Sequence, residues 1–442
     1  MKTGAKIICR LLICGLMVLN AQAATLMEVY ESALEYDASL KAARASLNAG
    51  RERLPQAKAQ LLPQITANWE RNQNDLTTTP LKTTTPPSQQ GYVSHRSTIT
   101  LVQPLLSYPK FYQLEQARSL VQEAEQTYEQ QLGKVMLKST SAYIESLFAV
   151  QQLQVAEGQT VRLKTQLEAA RKLLSAGAGT RTDIDEVQVQ VAKNQAEVIE
   201  ARQYVTYARK QLAMIIGREE QARQNIREDA LERLSMCQQD LVECTERAMQ
   251  NNPELKALQQ RVNAARLEVS KANSGHLPTI NGVIGWSDSA NDSVYSLNNR
   301  YENRSVGVQL NIPIYQGGAV QSATRQALAE LEVQSFTLED RRRQIALEIF
   351  KEFRGVSEGN ARLKAQLEAL QAAERLLDSI KKSRKAGVRS FLDELNAQKQ
   401  LDIVQRDVSQ ARLVSVLAWL RLQVLLGREP DAIVSELALV SE

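Results

Sequence analysis

Apolar residues recur every three or four positions along two long stretches of the chain, and this spacing predicts long amphipathic helices. The first stretch runs from Ile184 to Ile215 and the second from Leu401 to Leu425. Alternating steps of three and four place the apolar side chains on one seam, as in a coiled coil. A soluble helical bundle would show the same seam, so the pattern predicts helices and leaves the function open.

A third stretch, residues 110–175, stands out by its length. It contains no proline, and its only glycines are Gly133 and Gly158. As one helix it would extend about 100 Å, because an α-helix rises about 1.5 Å per residue. Helices in globular domains average about three or four turns, so this one is long enough to reach across a compartment.

Short segments in which apolar and polar residues alternate predict four β-strands, two in each half of the chain. The clearest runs from Val306 to Ile312, and similar patterns begin at Ile65 and Ile280. A tilted membrane strand needs about 9–11 residues, and alternation suits lipid on one face and water on the other. A half-buried sheet of a soluble protein shows the same alternation, and only the paired repetition favours a membrane.

Polar segments lie between the strands of each pair. Asn72–Ser97 and Ser287–Asn303 are rich in small polar residues, and we expect them to form exposed hairpin loops.

Four strands cannot close on themselves, and open strand edges are not tolerated in lipid. Three copies would supply twelve strands and leave a lumen, whereas barrels of about eight strands tend to fill with side chains. We therefore expect a homotrimer.

The second half of the chain repeats the first. Residues 33–65 align with residues 248–280 without a gap, and Pro104 later meets Pro313. Each half predicts a helix, two strands, a long helix, a turn and a second long helix. The predicted division is a signal peptide over 1–23, a first repeat over 24–217, a connector over 218–242, a second repeat over 243–427 and a C-terminal tail over 428–442.

Residues 1–23 have the pattern of an export signal, with basic residues, the short apolar run Leu11–Leu19 and small residues at Ala21 and Ala23. Without them the net charge falls from +4 to +1, which disfavours nucleic acid as a partner. No later stretch reaches about 18 apolar residues, so we expect no transmembrane helix. An exported chain of this kind is either soluble outside the cytoplasm or a β-barrel of an outer membrane.

Few residues suggest chemistry. Cys237 and Cys244 are the only cysteines after the predicted signal, and they form either a disulfide across a short loop or two thiols beside a helix. The histidines, His95 and His276, have no neighbours at metal-ligand spacing. The sequence also has no phosphate-binding loop and no nucleophile elbow, so it predicts no enzyme, no cofactor and no metal.

Two similar segments lie before the seam helices, "AGTRTDIDE" at 178–186 and "AGVRSFLDE" at 386–394. Aligned 208 positions apart, they match Gly179 with Gly387, Arg181 with Arg389 and Asp185 with Asp393. We therefore expect two equivalent turns, each joining a pair of long antiparallel helices.

Each of these turns is predicted to contain the residue that ends one helix and the residues that cap the start of the next. Gly179 and Gly387 suit the left-handed residue that ends a helix. Asp185 follows Thr182, and Asp393 follows Ser390, at the spacing of a capping box. Capping alone accounts for the aspartates. In a trimer, however, each would occur three times around one axis, and a ring of carboxylates at a constriction attracts cations.

The duplicated layout, the prolines at the strand–helix junctions, the "NIPIYQGG" run over 311–318 and the doubled turns resemble the TolC family of outer membrane efflux proteins. The resemblance covers nearly all of the mature chain. It implies a mainly α fold with a small β part, in which long antiparallel coiled-coil helices form an α-barrel. Four transmembrane strands per chain complete a twelve-stranded barrel in the trimer.

The resemblance also implies a site and partners. It places a closed periplasmic entrance at the turns, with Asp393 in a pore ring and Arg389 as a linking arginine that holds the entrance shut. The alignment of the two turns adds Asp185 to the expected ring and Arg181 as the counterpart of Arg389. Asn396 stands where some relatives carry a second ring aspartate, which weakens the expected charge. The implied partners are outer membrane lipid, a periplasmic adaptor and an inner-membrane transporter, either an ABC exporter or a proton-driven pump.

Two other functions are compatible with parts of the sequence, a periplasmic adaptor and the outer membrane component of a drug efflux pump. A periplasmic adaptor also carries a helical hairpin, but it needs a compact β-rich domain and does not fractionate with the outer membrane. Many drug-pump relatives begin with a lipidated cysteine, which this sequence lacks. The expected function is therefore export across the outer membrane by type I protein secretion, with the outer membrane component of a multidrug efflux pump as the alternative.

Overall fold

A computed structural model describes residues 25–81, 86–218, 240–291 and 296–439 of the chain. The predicted signal peptide, most of the predicted connector and Cys237 lie outside these residues. Whether Cys237 and Cys244 form a disulfide therefore stays a prediction, and Cys244 itself is buried.

The chain is mainly α-helical with one small antiparallel sheet, as the sequence predicts. The helices are α1 (Leu26–Tyr36), α2 (Ala38–Arg51), α3 (Arg53–Ala59), α4 (Tyr108–Ser175), α5 (Arg181–Ile216), α6 (Leu241–Asn251), α7 (Pro253–Asn273), α8 (Ala319–Lys385), α9 (Phe391–Leu425) and α10 (Pro430–Ala438). The strands are β1 (Gln64–Thr78), β2 (Ser88–Leu106), β3 (Thr279–Ala290) and β4 (Arg300–Asn311).

Two of the helices are far longer than those of ordinary domains. The predicted helix over 110–175 is confirmed as α4, with 68 residues, and α8 has 67. Within the described ranges no helix is both long and apolar enough to span a membrane. The segment predicted as a C-terminal tail contains α10, whose Ile433, Val434 and Leu437 are buried and whose Asp431 accepts a hydrogen bond of 2.8 Å from the Tyr30 hydroxyl.

The chain divides into two compact units. One contains the described residues within Met1–Lys41, Gln131–Asn252 and Ile345–Glu442. It holds α5 and α9 with the parts of α4 and α8 that pack against them. We call the antiparallel pair α4 and α5 the first helical hairpin and the antiparallel pair α8 and α9 the second helical hairpin. The other unit, Ala42–Gln130 with Pro253–Gln344, contains the whole sheet.

The sheet has the strand order β1–β2–β3–β4, and every neighbouring pair is antiparallel. Because directly paired residues point to the same face, the register lines up one apolar row across all four strands. This row consists of Ile65, Leu101, Ile284 and Val306. The adjacent row on the opposite face consists of Thr66, Thr100, Gly285 and Ser305. One face is thus apolar along this part of the sheet and the other is small and polar.

The predicted extent of the hairpin loops is wrong. β1 continues to Thr78 and β2 begins at Ser88, so most of Asn72–Ser97 is strand, and β3 and β4 likewise extend into Ser287–Asn303. Polar composition is a poor indicator of a loop here, because the backbone hydrogen bonds between the strands continue whatever the side chains are. Polar side chains even pair across it, since the Asn74 amide donates a hydrogen bond of 2.9 Å to Ser94.

The predicted seams are the contact surfaces within the helical hairpins. On α9 the seam residues from Leu401 to Leu422 are buried and Leu425 is half-buried. On α5 several are buried, including Val187, Val205 and Leu212. The helices of the second helical hairpin approach closely where small residues meet. A β-carbon added at Gly359 would lie only 2.3 Å from the Ser415 hydroxyl oxygen.

This close approach gives a stability prediction. Gly359→Ala should lower the free energy of unfolding by roughly 1–3 kcal/mol, because the added methyl group overpacks the contact with Ser415. Gly133→Ala on α4 is the matched control, since its β-carbon would meet Val424 at an ordinary 3.5 Å. Alanine favours helix over glycine by about 1 kcal/mol, so this variant should be at least as stable as the parent.

The measurement is thermal unfolding in detergent, followed by helical circular dichroism. A Gly359→Ala protein that unfolds at or above the temperature of the parent would show that α8 and α9 do not approach closely there.

Candidate gate at the two helix turns

The second turn has the geometry expected from its sequence. Gly387 has a φ of +77°, and its N–H donates to the Arg384 carbonyl at 3.0 Å, while Val388 N–H donates to the Ser383 carbonyl at 3.0 Å. These two bonds form a Schellman motif, which satisfies the last carbonyls of α8. The left-handed conformation predicted for Gly387 is confirmed.

Ser390 and Asp393 then start α9 as a capping box. The Asp393 N–H donates to the Ser390 hydroxyl oxygen at 3.1 Å, and the Ser390 N–H donates to the Asp393 carboxylate at 2.9 Å. The backbone N–H and the hydroxyl of Ser390 lower the pKa of the Asp393 carboxyl, and Arg389 adds to this effect. Asp393 is therefore a stable anion at neutral pH, and its capping role is confirmed.

The first turn has the same geometry, but two residues earlier than predicted. Gly177 is the left-handed residue, with a φ of +74°, and Ala178 N–H closes the Schellman motif on the Leu173 carbonyl. Thr180 is the N-cap of α5, and its partner in the capping box is Asp183. The predicted left-handed conformation of Gly179 and the predicted Thr182–Asp185 cap are both wrong.

The correct repeat offset is therefore 210 positions, not 208. Equivalent pairs are Gly177 with Gly387, Thr180 with Ser390, and Asp183 with Asp393. On this offset Asp185 matches Leu395 and Arg181 matches Phe391. Ala-Gly occurs twice in succession at 176–179, and the left-handed residue that follows α4 is the first of the two glycines, Gly177. Gly179 is needed for another reason, since a β-carbon there would lie 3.0 Å from the Leu174 nitrogen.

The other predicted site residues lie on the surface of the turns. Arg389 is exposed, and one of its terminal nitrogens lies 4.0 Å from Asp393 on the same helical hairpin. Within the described residues, Arg389 makes no bidentate bond to a carboxylate of a neighbouring helix. Arg181, Asp185 and Asn396 are exposed. Among the residues that the structure describes, the side chains of these three make no hydrogen bond and no ion pair.

A second ion pair at this turn was not predicted. Arg384, in the last turn of α8, pairs closely with Glu394, which is only 8% exposed in the first turn of α9. The guanidinium group also lies 5.7 Å from the centre of the Phe391 ring. Both contacts bridge the turn from one helix to the next. The basic last turn of α8 and the acidic first turn of α9 are the sequence features that could have suggested the pairing.

The polar contacts described for the turn residues lie within their own helical hairpins. The two hairpins meet in an apolar cluster along the helices, against which Phe391 at the start of α9 also packs. Leu163 on α4, Val187 on α5 and Leu395 on α9 form one buried apolar cluster. Further along, Arg162 on α4 donates a hydrogen bond of 2.6 Å to Asp402 on α9. These two features join the first and second helical hairpins of one chain.

Asp402 lies in an unusual environment for a carboxylate. Its side chain is 8% exposed, and Gln398 donates a second hydrogen bond of 3.1 Å to the oxygen that also accepts from Arg162. Burial raises the pKa of the Asp402 carboxyl, and Arg162 and Gln398 offset this only in part. A cavity of about 410 Å³ adjoins it, lined by α4, α5 and α9 with residues that include Asn194, Glu197, Tyr204, Lys399 and Arg406.

These groups can attract ions and hold helices, and they do not form a metal site. Within the described ranges no group of three or more His, Cys, Asp or Glu residues is placed to hold a metal ion. The carboxyl groups of Asp183 and Asp393 are anchored at helix starts, where the helix dipole favours negative charge. The arrangement is suited to an electrostatic constriction.

Comparison with known proteins identifies the same family of outer membrane efflux proteins that the sequence resembles. The sequence model of the outer membrane efflux protein family matches the chain over residues 29–218 and 245–428. The proteases secretion protein PrtF of Dickeya chrysanthemi is 29% identical over 412 residues, covering 92% of this chain and 89% of PrtF. The alkaline protease secretion protein AprF of Pseudomonas aeruginosa is 29% identical over 411 residues, covering 92% of this chain and 85% of AprF.

A solved structure supports the fold. The Campylobacter jejuni CmeC outer membrane channel superposes with a TM-score of 0.78 at 14% sequence identity, covering 94% of this chain and 90% of that chain. Identity this low supports the architecture alone.

The corrected offset predicts which threonine caps α5. Thr180→Ala should destabilise the start of α5 by about 1 kcal/mol, because the Asp183 N–H loses its acceptor. Native-state hydrogen exchange in the first turn of α5 should then accelerate roughly fivefold. Thr182→Ala is the matched control and should leave exchange unchanged. The reverse pattern would restore the offset of 208.

Proposed function

The chain belongs to the outer membrane efflux protein family, and on that premise we propose that it is a trimeric channel that carries secreted proteins across the outer membrane. The sheet of each copy crosses the membrane, and the two helical hairpins of each copy line a conduit on the periplasmic side. The channel is passive, because the sequence offers no nucleotide-binding loop, and the energy for export comes from a partner.

The observation that carries this proposal is the apolar face of the sheet. Ile65, Val306 and Val308 are 70%, 82% and 70% exposed, and Ile284 and Leu310 are about half exposed. Monomeric soluble proteins rarely expose contiguous apolar patches of this kind. Lipid is a suitable neighbour for this face, while the threonine and serine row opposite suits water.

The open edges of the sheet support a trimer. Among the described strands, β1 pairs only with β2 and β4 pairs only with β3. Unpaired backbone groups cost several kcal/mol each in lipid, so the two edges need partners. In the proposed assembly, β1 of one copy pairs with β4 of the next, and three copies close a ring of twelve strands around a lumen.

The helix turns form the entrance in this proposal. Asp393 of each copy contributes to a ring of carboxylates, and Asp183 takes the place that the sequence assigned to Asp185. Arg389, exposed beside Asp393, pairs with a carboxylate across a copy boundary and holds the closed state. The entrance opens when the helical hairpins part, driven by a partner that contacts the open state more strongly.

The proposed partners are a periplasmic adaptor and an inner-membrane ABC exporter. The support is the pair of relatives named as protease secretion proteins, each similar over about nine-tenths of this chain. The second candidate is the outer membrane component of a drug efflux pump with a proton-driven transporter, and its support is the match to the outer membrane efflux protein family.

Export of a protein can be separated from efflux of drugs. Deleting the protein from its host should remove at least one protein from the culture medium and leave tolerance to detergents and dyes unchanged. Complementation with the intact chain is the control. Lost drug tolerance with an unaltered set of secreted proteins would favour the efflux pump.

Ion conduction tests the channel and its entrance together. The purified protein should conduct ions in planar lipid bilayers with a preference for cations, because the ring concentrates them. Asp393→Asn should reduce that preference while keeping an oxygen that can accept the Ser390 N–H. The effect should be largest at low salt, where exposed charges are least screened.

Asp185→Asn is the matched control and should change cation preference less. An Asp393→Asn channel with the conductance and cation preference of the parent would contradict the ring. A parent protein with no conductance would contradict the channel itself.

A further inference from the structure

The Arg162–Asp402 ion pair joins the two helical hairpins, but it leaves the buried anion poorly satisfied. One carboxylate oxygen of Asp402 accepts from both Arg162 and Gln398. The other oxygen is buried without a hydrogen-bond partner, as is Nε of Arg162. Exposure is also unequal, since the Arg162 side chain is 40% exposed and the Asp402 side chain only 8%.

Such a pair does not act as a simple bond between the helices. A buried acceptor without a donor costs free energy, and the loss of water around a buried carboxylate can exceed the attraction of its partner. Of the charged groups that surround Asp402, Arg162 on α4 favours its ionised form and Glu197 on α5 opposes it. Lys193 on α5 and Lys399 and Arg406 on α9 line the adjoining cavity. The raised pKa of Asp402 agrees with a net cost of its charge.

We propose that the ionised Asp402 is a gating residue that favours the open channel, because parting of the helical hairpins brings its unsatisfied oxygen into contact with water. Arg162 has the opposite effect, because its positive charge stabilises the buried carboxylate and so favours the closed channel. This inference rests on the proposed function, since it requires a conduit that opens by separation of the two hairpins.

The proposal predicts that substitutions of Asp402 and Arg162 change the ratio of open to closed channels in opposite directions. Asp402→Asn removes the charge but keeps an oxygen for Gln398, so the closed state no longer carries an unsatisfied anion. The ratio of open to closed channels should fall roughly tenfold, the change that about 1.4 kcal/mol produces. Arg162→Gln leaves the anion without its counter-charge, so the same ratio should rise. The double variant should behave like Asp402→Asn alone.

The pH dependence has a definite sign. A carboxyl whose pKa is raised in the closed state binds a proton more tightly there than when it is hydrated in the open state. Acidification through the raised pKa of Asp402 toward the ordinary aspartate value therefore favours the closed channel. Burial also raises the pKa of Glu145, which faces Arg421 and Tyr204, so the parent alone cannot assign the effect. The pH response of the open-to-closed ratio that is due to Asp402 is the portion that disappears in the Asp402→Asn variant.

The experiment is single-channel recording in planar bilayers at neutral and mildly acidic pH, with circular dichroism and particle mass confirming that each variant is folded. Arg162→Lys keeps the charge and should behave like the parent. Arg202→Gln is the control, because Arg202 pairs at 2.8 Å with Glu157 inside the first helical hairpin and should leave the ratio unchanged.

Three results would overturn the inference. If Asp402→Asn and Arg162→Gln both open the channel, the pair is a simple latch. If neither changes the ratio, the pair has no role in gating. If Asp402→Asn retains the whole pH response of the parent, another group titrates. Failure of the parent to conduct is a different outcome, which rejects the proposed channel.

Discussion

The backbone hydrogen bonds at the two edges of the sheet are the constraint on which the rest of this structure depends. β1 and β4 each have one neighbour among the described strands, and the apolar row from Ile65 to Val306 lies on one face of the sheet. A sheet in this condition is incomplete in lipid, because no water satisfies its free N–H and carbonyl groups. A ring of identical chains satisfies both edges with one kind of contact, and such a closed ring surrounds a space.

The helical part divides its contacts in a way that suits a gate. Each turn is closed from within by a Schellman motif and a capping box, and the Arg384–Glu394 pair adds a contact across the second turn. The first and second helical hairpins meet in an apolar cluster and at the incompletely satisfied Asp402. In the proposed gate, separation of the hairpins at these contacts supplies the second arrangement that a switch requires.

Local patterns were predictable from the sequence, and contacts between distant residues were not. The seams of α5 and α9, the length of α4 and the cap at Ser390 all follow from residues a few positions apart, where the helix period decides. The position of the first turn is not decided by the sequence, because Ala-Gly occurs twice in succession there and either glycine could follow the helix. The ends of the strands are not marked by the sequence either, because their polar segments lack the alternation of apolar and polar residues that indicates a strand. The Arg162–Asp402 pair spans 240 positions, and no local pattern connects two such residues.

The most direct test of the central claim is the mass of the intact particle purified from membranes in detergent, measured by native mass spectrometry. The particle should contain three chains, since neighbouring copies complete β1 and β4. A stable particle of one chain, with its sheet intact, would contradict it.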